Sequence, residues 1–107
     1  MAIEQQNKRH LGISTPASGS PLTAPTGSWL AAVVIPSGTM AVRLTPSTAV
    51  YIEVDTTTGD PAAYGASLPP GSCHQVDCLG CTRLHLSGVT AQSVVGVSFV
   101  QAGVTGS

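Results

Sequence analysis

The residues best able to do chemistry fall in one short run, Cys73-His74-Gln75-Val76-Asp77-Cys78-Leu79-Gly80-Cys81, with His85 four positions further on. Cys78 and Cys81 have C-x-x-C spacing. Cys73 and either histidine, with His85 the better placed, would complete a tetrahedral Cys3His set for zinc. The Leu79-Gly80 tip between the two cysteines resembles that of a zinc knuckle. A single C-x-x-C, however, lacks the second pair that makes such a motif specific. Alternation along a strand also sends Cys73 and His74 to opposite faces, and a reduced thiol packs as a small hydrophobe. The preferred reading is therefore buried or turn cysteines with no metal and no cofactor. Cys73, Cys78, Cys81 and His85 stand as the metal-binding alternative.

The other reactive groups are more scattered. Serines are abundant and His10, His74 and His85 are available, but no G-x-S-x-G elbow presents a nucleophile. Glu53 and Asp55, two apart, share one face of a strand. They could work as an acid pair or, with Asp60, hold a cation weakly. The plainer reading is a solvated strand face that keeps an edge soluble, with Glu53 opposite Arg43 across a hairpin as an ordinary ion pair. Glycines fall at turns and none forms a phosphate-cradling loop. No catalytic residue is assigned, and the chain is expected not to be an enzyme.

The elements that would position these groups are strands. Valine and threonine dominate, and both fit a pleated surface better than a helix. Trp29 to Ile35 makes a first strand, stopped at Pro36-Ser37-Gly38. Thr39 to Leu44 alternates, with Met40, Val42 and Leu44 on one side. Ala49 to Asp55 alternates again, with Val50, Ile52 and Val54 inward, and these two strands read as a local pair. A long connection follows, with a possible edge strand at Ala63 to Ala66. Then come Ser72 to Val76, Thr82 to Leu86 and a last strand, Ser93 to Gln101. Both faces of that last strand are apolar, which suits a central or interfacial position. Six or seven short strands with regularly spaced turns predict a single antiparallel β-sandwich or small β-barrel. No apolar stripe of helical period and no solenoid repeat is found.

Residues 1–28 differ from the rest. The stretch from Ser14 to Ser28 is rich in Pro, Gly, Ser and Thr and has little to bury. It is expected to be an extended arm that orders along a neighbour, or a disordered tail, with the sandwich domain over 29–107. At 107 residues there is room for one domain. Charged residues make up only 8% and the net charge is −1, against roughly 25% charged in an average domain. No basic stripe exists to neutralise a phosphate backbone, so no nucleic-acid partner is expected. No apolar run approaches a membrane span and no secretory leader is read, so synthesis in a cytoplasm is expected. So weakly charged a surface favours association. Trp29, Leu30, Val94 and Val100 are the expected interface residues, and Val100→Asp should weaken assembly while leaving the monomer folded.

The run GTMAVRLTPSTAVYIEVD, followed by SLPPGSCHQVDCLGCTRLHLSGVTAQSVVGVSFVQAG, resembles small virion proteins of tailed bacteriophages. The matching points are Val50 to Asp55, the Leu68-Pro69-Pro70-Gly71 turn, Leu84 to Gly88, and Val95 to Gly103. The resemblance implies a capsid decoration (cement) protein or a related head or tail accessory protein. It further implies a β-sandwich, a homotrimer, the major capsid protein as partner and the virion as location. The cysteine run departs from the usual pattern of that group. A receptor- or carbohydrate-binding module on a tail is the alternative. Sugar-binding faces need aromatic platforms and clusters of Asn, Asp or Gln, and with one Trp, at the start of the first strand, and one Asn, in the arm, that face is hard to assemble.

Overall fold

The computed structural model describes residues 9–14 and 21–104, with side chains over 21–101. The expectations for residues 1–8, 15–20 and 105–107 lie outside the described residues. Nine strands occur among those described: β1 (Arg9–Ser14), β2 (Leu22–Ala24), β3 (Val33–Val34), β4 (Thr39–Pro46), β5 (Val50–Asp55), β6 (Ser67–Leu68), β7 (His74–Asp77), β8 (Arg83–Gly88) and β9 (Ser93–Val104). They form two antiparallel sheets packed as a sandwich. One has the order β1-β9-β4-β7, with β2 also on β9, and the other has the order β3-β8-β5-β6. We call these sheet A and sheet B.

Alternation explains the core. Val42 and Leu44 of β4 and Val95, Val97 and Phe99 of β9 project inward from sheet A, against Val50 and Ile52 of β5 and Leu84 and Leu86 of β8 in sheet B. Apart from Met40, which is 41% exposed where the β4 register shifts, the apolar side chains that alternate in the sequence are those that meet between the sheets. A register shift between Thr39 and Ala41 places Ala41 opposite Val100 and Val42 opposite Phe99, as a bulge does. Pro46 ends β4 where the β7 ladder has already stopped, so its missing N–H breaks no pairing there. Gly80, at φ 85°, closes the turn between β7 and β8, where the Cys81 N–H donates to the Cys78 carbonyl at 2.9 Å.

Three expectations are corrected. First, β4 and β5 are not a hairpin. The chain crosses from sheet A to sheet B between Pro46 and Val50, so Glu53 lies opposite His85, while Arg43 Nε donates to Gln75 Oε1 at 3.0 Å. Two strands with inward apolar faces pack equally well facing one another across the core as side by side. Second, the sandwich takes in part of the segment read as an arm. β2 pairs with β9 from Leu22↔Val95 to Ala24↔Ser93, and Leu22 and Ala24 are buried in the core. Strand β1 pairs further along the same edge of β9, from Ser14↔Phe99 to Arg9↔Val104. Third, the first strand expected at Trp29 to Ile35 is reduced to Val33–Val34, flanked by the bonds Leu30 N–H to Leu86 O and Ile35 N–H to Thr82 O. The last strand is central, as its two apolar faces indicated.

Candidate functional site

The four metal-alternative residues do not converge. Cys78 is buried in the core between the sheets, Cys81 packs against that core, and Cys73 is exposed. His85 stands on the other side of sheet B, because it alternates with the inward Leu84 and Leu86. Among the described residues no three His, Cys, Asp or Glu side chains come together in a way that could hold a metal ion. Burial pushes the Cys78 thiol above its ordinary value, and the neighbouring Cys81 and Asp77 add to the effect. Cys78 therefore stays protonated and behaves as core.

His85 instead belongs to a cluster on the outer face of sheet B. It is fully buried, and its Nε2 lies 2.8 Å from Asp55 Oδ1. Burial pushes the Asp55 carboxyl up. Hydrogen bonds from His85 and the Thr57 N–H, with the His85 charge, outweigh that and hold it below its ordinary value. An ionised carboxylate only accepts, so Nε2 carries the hydrogen. Nδ1 is buried and finds no partner among the described residues. No hydroxyl or thiol thus completes a nucleophilic triad there. The pair clasps β5 to β8 across the sheet.

Two further segments cover this face. Residues 25–30 lie over β8: the Ser87 hydroxyl donates to the Ser28 carbonyl at 2.7 Å and the Gly88 N–H to Pro25 O at 2.7 Å. A Cβ at Gly88 would collide with the Ala91 carbonyl, which fixes glycine at this close approach. Trp29 then meets the His85 ring edge-on, with centroids 6.3 Å apart. From the other side, the β5–β6 connection brings Tyr64 onto the same face. The Tyr64 ring stacks on Trp29 at 4.9 Å and 20°, and lies 4.6 Å from Tyr51. Three of the four aromatic residues in the chain are therefore one group, beside the carboxylates Glu53 and Asp55. This group is not legible in the sequence, because its members lie on three separate segments. Its only linear signal was the outward parity of Tyr51, Glu53 and Asp55.

The expected interface residues divide. Trp29 is half-buried beneath Tyr64. Leu30 packs on the core and, with Leu22 and Val33, walls a groove of about 550 Å³ between β2 and β3. Val94 is 43% exposed. Val100, on the same face of β9, is only 1% exposed, so it is packing within this chain and not free surface.

A different exposed surface lies at one end of the sandwich. β4 starts there at Thr39 opposite Gln101, β7 leaves at Asp77 opposite Ala41, and β3 pairs Val34 with Arg83. Met40, Leu79 and Val34 are 41%, 77% and 57% exposed. At the same end β9 runs past its last β4 partner, and residues 102–104 pair only with β1. Compared with known proteins, the chain matches no family model, no curated protein and no solved structure.

Proposed function

We propose that this chain is a structural virion protein, a capsid decoration module that docks on the coat lattice of a tailed phage through the Met40–Leu79 end. The observation that carries this reading is the exposure of Met40 and Leu79 at that end, where the Cys78 N–H bonds to the Met40 carbonyl, together with the two-stranded β1–β9 ribbon. An isolated two-stranded ribbon is marginal in water, and exposed apolar residues beside it are what a host surface would cover. The low charge of the chain fits a molecule whose surface is shared with neighbours. Affinity would come from repetition: symmetric copies, each burying a modest area, bind a lattice with high avidity. The resemblance to small phage virion proteins points the same way, and it carries the expectation of a homotrimer bound to the major capsid protein.

The test combines light scattering of the full chain at several concentrations with co-sedimentation on phage heads that lack decoration. A trimer mass, with saturable binding reduced about tenfold or more by Leu79→Glu, is the expected outcome; a loss of that size corresponds to about 1.4 kcal/mol. A monomer at every concentration that also fails to sediment with heads would overturn the proposal.

A further inference from the structure

We propose that the slot between Trp29 and Tyr51, filled by the Tyr64 ring, is a carbohydrate-binding subsite in which a pyranose ring takes the place of Tyr64. This does not rest on the docking reading, since it concerns the outer face of sheet B and not the Met40–Leu79 end.

The aromatic geometry comes first. Tyr64 contacts both Trp29, stacked at 4.9 Å and 20°, and Tyr51, tilted at 4.6 Å and 38°, so a ring in the place of Tyr64 touches two aromatic neighbours at once. Trp29 and Tyr51 are held independently of their occupant. Tyr51 sits on β5 in register with Ser87 and Ser67, and Trp29 lies between the Ser28 carbonyl bonded to Ser87 and the Leu30 N–H bonded to Leu86. The occupant is held far less firmly. Gly59 O accepts from the Thr57 hydroxyl and Ala66 O from the Ile52 N–H; between those two residues the ring contacts of Tyr64 are the only hydrogen-bond or aromatic tie described. Tyr64 is 44% exposed, and a Cβ at the adjoining Gly65 would meet nothing. An aromatic pair adds only modestly to the area it buries, and a ligand ring making the same two contacts can match it.

The rim chooses the ligand. Glu53 and Asp55 follow Tyr51 on the same face of β5, and Arg83 stands opposite Asp55 on β8. One cation against two carboxylates, one of which is already engaged by His85, disfavours a phosphate or other anion. Glu53 has no hydrogen-bond or ion-pair partner described and is free to accept hydroxyl hydrogens. Flat apolar walls with a few fixed acceptors suit a neutral polyhydroxylated ring, whose C–H face stacks while its hydroxyls donate.

Trp29 is the only tryptophan, so its fluorescence reports on the slot directly. The full chain is titrated with cellohexaose, maltohexaose and chitohexaose, and separately with N-acetyl-tyrosinamide. The expected result is a saturable change in Trp29 emission with at least one hexasaccharide. Tyr51→Ala should weaken it about tenfold and Tyr64→Ala, which empties the slot, should tighten it severalfold. Circular dichroism and a melting curve on each variant separate loss of binding from loss of fold. Glu53→Gln, a change at a half-exposed strand position, provides a variant that keeps the walls intact and is expected to weaken sugar binding. A saturable response to N-acetyl-tyrosinamide without one to any sugar would overturn the proposal in favour of a protein side chain as occupant. No response to any hexasaccharide in either the wild type or a folded Tyr64→Ala variant would overturn it as well, as would sugar binding indifferent to Tyr51→Ala.

Discussion

The outer faces of the two sheets are built on opposite plans. On sheet B the strand β8 is buried on both sides: Leu84 and Leu86 face the core, while His85 and Ser87 are buried under Trp29 and residues 25–28. On sheet A the strand β4 presents Arg43 and Thr45 to solvent, and the edge strand β7 has an exposed Gln75 and Asp77. Burial on both sides of a sheet obliges every polar group there to find a partner. His85 and Ser87 do so through Asp55 and the Ser28 carbonyl, with Nδ1 as the exception. An open face carries no such obligation. The lesson is that His85 and Ser87 on β8 act as structural fasteners, whereas Arg43, Thr45, Gln75 and Asp77 on β4 and β7 are exposed surface.

The largest expected contrast lies within a single strand. Val100 and Val94 share the outer parity of β9, yet one is buried beside Ala41 and the other exposed. Val100→Asp places an unpaired carboxylate in a dry position and should lower unfolding free energy by about 3 kcal/mol or more. Val94→Asp should stay within about 0.5 kcal/mol. Urea unfolding of both variants decides the matter, and equal midpoints would show that Val100 is not packed as described. A smaller contrast follows across the two sheets. Ser87→Ala removes the hydroxyl bonded to Ser28 and should cost about 1 kcal/mol. Arg43→Ala, which loses one exposed bond to Gln75, should cost less than about 0.5 kcal/mol. If the two variants melt together, the distinction between the covered and the open face fails.

What could be read in advance divides along the same physical line. The inward residues Val42, Leu44, Val50, Ile52, Leu84, Leu86, Val95, Val97 and Phe99 were legible, because period-two alternation reports burial on one face of a strand. Sheet membership was not. The three residues between β4 and β5 are short enough for a hairpin and also serve a crossover, and alternation is blind to which neighbour a strand chooses. β1 and β2 were hidden for another reason. Their membership in sheet A rests on backbone pairing to β9, while the segment around them is Pro, Ser and Thr with few apolar side chains to announce a strand. The aromatic group was illegible because Trp29, Tyr51 and Tyr64 meet only after the 25–30 segment and the β5–β6 connection have folded onto one face.

The finest test of the comparison is the protonation of Asp55, the one carboxylate that fastens the covered face. Its folded value lies below the ordinary 3.8, so its contribution to stability is fully present above that value and disappears as pH falls through the lower, folded one. Wild type and Asp55→Asn should therefore differ most at neutral pH and converge on acidification below the ordinary carboxylate range. Glu53→Gln, next but one on the same strand face and without a described hydrogen bond, should shift the melting temperature little. Melting temperatures of the three proteins, followed from neutral pH down to strong acid, measure this directly. A constant gap between wild type and Asp55→Asn at every pH would mean that Asp55 contributes through packing alone. The covered face would then be held by its aromatic rings and backbone bonds, with the His85–Asp55 pair a consequence of burial and not one of its causes.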